Sequence, residues 1–520
     1  MPPEKTLTEN ANGPSNMLTR LKEFFAHAQT PAFLVGGCLW DALLLRPPGR
    51  DVDIAVAGEV AGLAQELSRV LGGTLVPLSP ALGKARVVVP ESGPESRTKI
   101  SAESSPEISA KNWTIDLSGF SGSIEEDLAR RDFTVDALAL PVSEWNPDNL
   151  VEQEIDSFLI DPCDGRSDLA RKCIRAVGPS VFRDDPVRLL RAVRLASALG
   201  FRLDPDTARM AMADAAHITE PAPERVRDEL LAILALDGAK GSLEALDRLD
   251  LLCRVIPELA ATKGVEQPLV HYWDVWGHTL HAVEGAERVT KGHQNSPVFT
   301  LVYWTAETNA YFNQKVAEGH TRRTMLKLAA LFHDISKPQT KQVDETGRTR
   351  FPGHSEAGAE VAAQRLSQLR LSSKGIGMVS KMVKYHLRPY HMMQGVEVPT
   401  QRAIHRYFGE LNDVAVDTLY LSQADFLAAK GPELNPDDWA NHARMVAHIV
   451  QAGFQPATPE AAQRLINGNE LIEHFKLTPG PIVGLLLKGI NEAQAAGEIS
   501  TPEQAWDLAD HIMRQHQDMG

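Results

Sequence analysis

Two periods of hydrophobic recurrence divide the chain. From Met17 to about Pro141, short apolar runs (PAFLVGG, VDIAVA, ARVVV, WTIDLSGF) alternate with amphipathic stretches such as LTRLKEFFAHA and EVAGLAQELSRVLGG. That alternation predicts strands and helices mixed in one α/β head. After Asp168 the period becomes helical and stays so nearly to the end, in DPVRLLRAVRLASALGF, ERVRDELLAILAL, HTLHAVEGAERV, RRTMLKLAALFHDI and EAGAEVAAQRLSQL. Pro and Gly mark the joints. Three stretches carry neither period. Residues 1–16 (MPPEKTLTENANGPSN) read as a disordered tail, and Glu91–Asn112, rich in Ser, Glu and Pro, reads as a mobile loop between two strands. Lys291–His320, with its aromatic residues and turn formers, reads as an insertion between two helices. No repeat at a solenoid period is visible.

Composition narrows the class. At 520 residues the chain exceeds one ordinary core, and 43% hydrophobic with 23% charged residues is the profile of a soluble globular protein. No apolar run approaches a membrane span, and the N-terminus shows neither a signal-peptide core nor an Arg-rich amphipathic pattern. Cys38, Cys163, Cys173 and Cys253 are scattered without a C-x-x-C pair, which argues against a disulfide framework or a zinc knuckle and for a reducing cytoplasm. A net charge of −15 weighs against a protein that coats nucleic acid over its whole surface. Arg166, Arg171, Lys172, Arg175, Arg183, Arg188, Arg191 and Arg194 nevertheless concentrate against that background, so a local basic groove is not excluded, and if RNA binds it should bind near them.

Candidate chemistry in the head centres on FLVGGCLWDALLLRPPGRDVDIAV. Asp51 and Asp53, two apart on a strand, point to one face. Two like charges held together invite a cation, the arrangement that places Mg²⁺ on a triphosphate. Gly36 and Gly37, between a strand and a helix, supply a turn where backbone amides can approach a phosphate. Asp116 in WTIDLSGF is the candidate third carboxylate. Alone, a D-x-D or a Gly-Gly is commonplace; the combination is informative.

These residues resemble the signature of the class II tRNA nucleotidyltransferase and poly(A) polymerase family, LVGG-x-hRD followed by D-x-D. EEDLARRDFTVDALAL, DPCDGRSDLARKCIRAVG, RDDPVRLLRAVRLASALGF and ERVRDEL are similar to its four further motifs, in order. The resemblance implies a polymerase-β-like head in which Asp51 and Asp53 hold the catalytic Mg²⁺. It assigns Gly37 to the nucleotide phosphates and Arg131, with Asp132 beside it, to the triphosphate. Asp185 and Arg188 then read the base edge, and Arg191 and Arg194 continue the same helix. Asp accepts from an exocyclic amine and Arg donates to ring acceptors, so such a pair can separate C and A from U and G. Three positions depart from the family: Trp40 replaces an Arg, Asp136 an Asn and Asp164 a Gly. A guanidinium on phosphate contributes on the order of 1.5–3 kcal/mol, so Trp40 is expected to weaken triphosphate binding.

The second half presents HYWDVWGHTLHAV, LFHDISKP, FPGHSEAGAE, KYHLRP and LSQADFLAAKG in succession. His333 and Asp334 end an apolar helix, where an unpaired charge is costly and a metal is the simplest partner. Imidazole with carboxylate suits a hydrolytic divalent ion (Mn²⁺, Fe²⁺, Ni²⁺ or Mg²⁺) better than structural zinc. The set resembles the HD phosphohydrolase superfamily. That resemblance implies one metal on His278, His333, Asp334 and Asp425, the additional histidines His354 and His386 of the two-metal variety, and hydrolysis of a phosphate ester or 2′,3′-cyclic phosphate. Ser336 replaces the usual Gly. His281, one turn from His278, is read as exposed or supporting. The last stretch, from Leu465, resembles the closing helices of tRNA nucleotidyltransferases with an HD domain, Pro479-Gly480-Pro481 being a structural corner.

The expected organisation is a tail (1–16), a nucleotidyltransferase head (17–150), a helical nucleotide- and RNA-binding neck (151–262), an HD domain (263–440) and a C-terminal helical region (441–520). The expected activity is template-independent addition of C and A from CTP and ATP to the 3′ end of tRNA. The alternatives are a CC- or A-adding enzyme, a poly(A) polymerase, an HD phosphohydrolase with a degenerate head, and an RNA-binding protein without turnover. Intact Asp51, Asp53, Arg131, Asp185 and Arg188 oppose the last two.

Overall fold

Val35 and Gly36 mark the first change of period in the structure, where an apolar strand turns directly into a helix. The structure, a computed structural model, describes residues 14–46, 49–79, 83–90, 112–145, 157–268, 270–292, 296–393, 398–454, 465–495 and 497–518. The tail up to residue 13 and the Glu91–Asn112 loop, apart from Asn112, lie outside these. Two compact units divide at His217/Ile218.

The first unit is built on one six-stranded sheet. Its elements are α1 (Pro14–Ala28), β1 (Ala32–Val35), α2 (Gly36–Leu43), β2 (Asp51–Ala57), α3 (Val60–Leu71), β3 (Thr74–Ser79), β4 (Lys84–Val89), β5 (Trp113–Phe120), α4 (Ile124–Leu128) and β6 (Ala139–Pro141). Helix α1 starts at Pro14, inside the stretch expected to be tail; Pro at a first helical turn has no N–H to lose. The strand order is β3-β4-β5-β2-β1-β6, with β2 and β5 parallel and the other pairs antiparallel. Val52, Ile54, Val56, Val87, Ile115 and Leu117 are buried, which leaves Asp51, Asp53 and Asp116 on the alternate, more open positions of their strands. Beyond the sheet, Arg188–Leu199 forms α5, whose Leu189, Leu190, Ala192, Val193 and Leu195 are buried and whose end is closed by Gly200 in the left-handed conformation.

The second unit is helical. Helices α6 (Val275–Val289), α7 (Arg322–Phe332), α8 (His354–Gln368), α9 (Ser373–Tyr385) and α10 (Ala415–Lys430) surround one core. Every residue of α7 except Arg323 is buried, so the helix runs through the core and packs on all sides. Gly285 permits the close pairing of α6 with α10: a Cβ there would lie 2.9 Å from the Ala424 carbonyl oxygen. The insertion between α6 and α7 holds a short helix, Ala306–Phe312, and a two-stranded ribbon. A hairpin of β7 (Gln342–Val343) and β8 (Thr349–Arg350) joins α7 to α8. At the end, α11 (Gly468–Phe475), α12 (Pro481–Ala495) and α13 (Pro502–Asp518) share their own core, including Leu471, Leu486, Ile490 and Ala509.

Candidate active sites

In the head, strand register assembles the site. Val35 pairs with Asp53, Asp53 with Asp116 and Asp116 with Arg86, so β4, β5 and β2 set Arg86, Asp116 and Asp53 in one row. Gly36 is at φ 66°, and a Cβ there would stand 2.7 Å from Asp53 Oδ2, so only glycine lets the turn lie against this carboxylate. Burial, reinforced by the Asp116 charge and opposed by the Gly37 N–H and by Arg131, raises the Asp53 carboxyl above its ordinary range. A divalent ion would relieve that charge, and Asp51, exposed on the same face, offers a second oxygen ligand. Asp116 stands level with Asp53 as expected, but both its oxygens are held by Arg86, at 2.7 Å from Nε and 2.7 Å from Nη2. Sequence reasoning missed Arg86, because only the β4–β5 register brings it to Asp116.

Around this row, Arg131 donates to the Asp136 carbonyl at 3.2 Å and pairs with Asp127. Arg191 pairs with Asp132 at 2.7 Å and reaches Asp136 at 3.8 Å, and Arg188 donates to the Arg130 carbonyl at 3.2 Å, so α5 is pinned to the Arg131 loop. Asp185 is not on that helix. It is extended at φ −151°, because the following Pro186 disfavours helical geometry, and it approaches from the turn before α5. The basic concentration is largely engaged within the unit. Arg171 and Arg175 each lie 2.7 Å from the buried Asp168, which also accepts from Thr134, and Arg183 pairs with Asp214.

The three departures from the family now have physical readings. Trp40 donates from Nε1 to the Val135 carbonyl at 2.6 Å, linking α2 to the turn below it without supplying a cation. Burial and the neighbouring Asp132 push the Asp136 carboxyl well up, toward the neutral acid and hence toward the uncharged Asn it replaces. Asp164 sits at φ 61°, the left-handed region where glycine is at ease and Asp is tolerated.

In the helical unit, the six expected ligands converge. His278 Nε2 lies 3.3 Å from Asp334 Oδ2 and 3.0 Å from Asp425 Oδ1, and His333 Nε2 lies 3.2 Å from Asp334 Oδ2. On the other side, Asp334 Oδ1 faces His354 Nε2 at 3.4 Å and His386 Nε2 at 3.9 Å. Two buried triads result, His278–His333–Asp334 and Asp334–His354–His386, which share Asp334. The Nδ1 atoms of His333, His354 and His386 sit 2.8, 2.7 and 2.6 Å from the carbonyls of Ala330, Phe351 and Val383. A carbonyl only accepts, so each Nδ1 carries a proton and each Nε2 is the ring nitrogen turned inward. Two of these carbonyls belong to the last turns of α7 and α9, where helix ends favour a cation.

The field here demands positive charge. Burial alone would depress His333, but Asp334 and Asp425 outweigh it and lift the imidazole to about 10. Burial and the nearby His333 hold His386 down at about 3. Against the upward push of burial, His333 and Lys337 draw Asp334 well below the usual carboxylate range. A divalent ion competes for the same oxygens and lone pairs, so the donor set fits one in each triad. Sequence reasoning missed three supports. Lys337 Nζ is 2.6 Å from Asp334 Oδ2, the half-buried Tyr390 touches Asp425, and His271 lines the cavity edge-on to His278. His281 stacks on Trp273 and pairs with Glu284, away from the ligands.

Three family models match: the poly A polymerase head domain over residues 32–175, the probable RNA and SrmB-binding site of polymerase A over 200–263, and the HD domain over 275–429. The CC-adding tRNA nucleotidyltransferase of Thermus thermophilus is 33% identical over 491 residues, 93% of this chain and 94% of that protein. The chain belongs to the tRNA nucleotidyltransferase family. It is therefore a nucleotidyltransferase enzyme with an HD domain. Within the family it is as similar to the A-adding tRNA nucleotidyltransferase of Deinococcus radiodurans, 32% identical over 484 residues, 91% of this chain and 94% of that one. The Thermotoga maritima CCA-adding enzyme, solved in complex with tRNA, shares the fold with a TM-score of 0.54 and 20% identity, over 98% of this chain and 97% of that chain. Among the described residues, no helix is long and apolar enough to cross a membrane.

Proposed function

We propose that the head adds C and A nucleotides from CTP and ATP to the 3′ end of tRNA. The observation that carries this reading is Asp53 set against the Gly36 turn and level with Asp116, with Asp51 on the same face. Asp51 and Asp53 would hold Mg²⁺, which when bound would supply the positive charge that neutralises the triphosphate and acidifies the 3′ hydroxyl. Arg131 and the Gly37 amide bind the phosphates, and Asp185 and Arg188 read the base. Asp116, occupied by Arg86, shapes the field at Asp53. Full-length relatives named as CC-adding and A-adding favour a second reading, in which only part of the CCA end is added. A cytoplasmic setting suits four free cysteines.

For the HD domain we propose phosphate-ester hydrolysis, with His278, His333, Asp334 and Asp425, and His354 and His386, holding divalent ions. The ions supply Lewis acidity at the phosphate, and the fixed Nδ1 protons keep the ring lone pairs aimed inward.

The test is incubation with Mg²⁺ and tRNA lacking its CCA end, supplying CTP, ATP or both. C followed by a single A establishes CCA addition; C alone or A alone selects the partial adders, and a long A ladder a poly(A) polymerase. No incorporation overturns the head reading and makes Trp40 the prime suspect.

A further inference from the structure

The cavity beside the HD cluster has features that the six ligands leave unused. It has a volume of ≈ 460 Å³ and is lined by Asp334, His354, His386 and Asp425 on one side and by Arg348, Thr349 and Arg350 on another. That is within the roughly 300–1,000 Å³ typical of small-molecule sites. The arginines come from the β7–β8 hairpin, which follows closely on Lys337 and ends just before His354. Its position relative to the ligands is therefore fixed at both ends. Asp344 shapes its turn, accepting from the Thr346 and Arg348 amides, and pairs with Arg350 at 3.2 Å. Arg348 forms no ion pair among the described residues, and both arginines are exposed. Inside the cavity the Asp334 carboxylate is already engaged by Lys337 and the histidines. The Arg348 fork therefore has no protein anion among the described residues to complete it, Arg350 is held only by Asp344 on the exposed hairpin, and a ligand phosphate matches the geometry of both guanidiniums.

We propose that the hairpin arginines anchor a second phosphate, so that the HD site takes the phosphorylated end of an oligonucleotide in preference to a mononucleotide. This rests on the phosphohydrolase reading above. The phosphodiester next to the terminal phosphate lies on Arg348 and Arg350 while the terminal group enters the cluster. Water then adds across the terminal P–O bond, releasing inorganic phosphate and a free hydroxyl.

The experiment uses the full chain supplied with Mn²⁺ or Ni²⁺, and compares adenosine 3′-monophosphate with the 3′-phosphorylated dinucleotide ApAp. The expected wild-type preference for ApAp is about tenfold in kcat/KM, the size of a few solvent-exposed charge-assisted contacts. In the Arg348→Ala/Arg350→Ala chain it collapses to within twofold, through KM rather than kcat. A preference that survives the double substitution overturns the proposal, as does an equal loss on both substrates, which would assign the arginines to the reacting phosphate. Equilibrium binding of fluorescein-labelled ApAp by anisotropy separates the two readings. If the wild type turns over neither substrate but the double variant still weakens ApAp binding about tenfold, hydrolysis is wrong and the anchor stands. Unchanged binding removes the anchor whatever the turnover.

Discussion

In the head, Asp51 is exposed and Asp53 half-buried on one face of the interior strand β2. In the helical unit, His278, His333, Asp334 and His386 are all at 1% exposure or less, and three imidazoles are fixed by backbone carbonyls. Both sites gather anionic oxygens, but they set different terms for a cation. The head keeps its carboxylates accessible and charge-frustrated, which suits an ion that arrives with a triphosphate and leaves with pyrophosphate. The HD cluster is orientated in advance and desolvated, which suits an ion that stays.

The sharpest way to break this comparison is a reciprocal pair of substitutions. Asp53→Ala is expected to cut nucleotide incorporation by about a thousandfold or more and to spare phosphate-ester hydrolysis, while Asp334→Ala does the reverse. If Asp53→Ala also abolished hydrolysis, the sites would not be independent. Next in size is Gly36→Ala, which drives a methyl into Asp53 Oδ2 at a positive φ. About a hundredfold loss of kcat is expected in a protein of unchanged circular dichroism; wild-type turnover would show that the head tolerates movement of its carboxylate.

Smaller effects sharpen what holds each region together. Asp168→Ala removes the buried carboxylate shared by Arg171, Arg175 and Thr134. Denaturant titration is expected to show the first unit destabilised by about 2–3 kcal/mol, less than a fully buried pair because the arginines stay partly hydrated. In the helical unit, burial holds His442 at about 4, below the ordinary value of 6.5. The unfolded chain therefore binds this proton first, so stability falls as pH drops from about 6.5 toward 4, by up to about 2 kcal/mol at pH 5. Hydrogen exchange in the helix Pro436–Phe454 measures it, and His442→Phe is expected to flatten the dependence.

Period and spacing carried much of this protein. The alternation around VDIAVA announced β2 and its two outward carboxylates, and RRTMLKLAALFHDI announced a buried helix ending in a His-Asp pair, because side-chain direction follows local geometry. The glycines at 36 and 37 were legible for the same reason. Position in the fold decided the rest. Arg86 meets Asp116 through the pairing of strands 30 residues apart. Asp334 becomes the shared member of two triads because α6, α7, α8, α9 and α10 bring histidines and carboxylates from across the unit to one point. Asp185 leaves the helix assigned to it because Pro186 acts on the backbone before it. The basic run between Arg166 and Arg194 is spent largely on Asp168, Asp214 and Asp132, partners that spacing does not reveal. Local geometry is set by neighbours in the chain and can be read from it. Which charges are paired, and which remain for a ligand, depends on contacts that exist only once distant segments have packed.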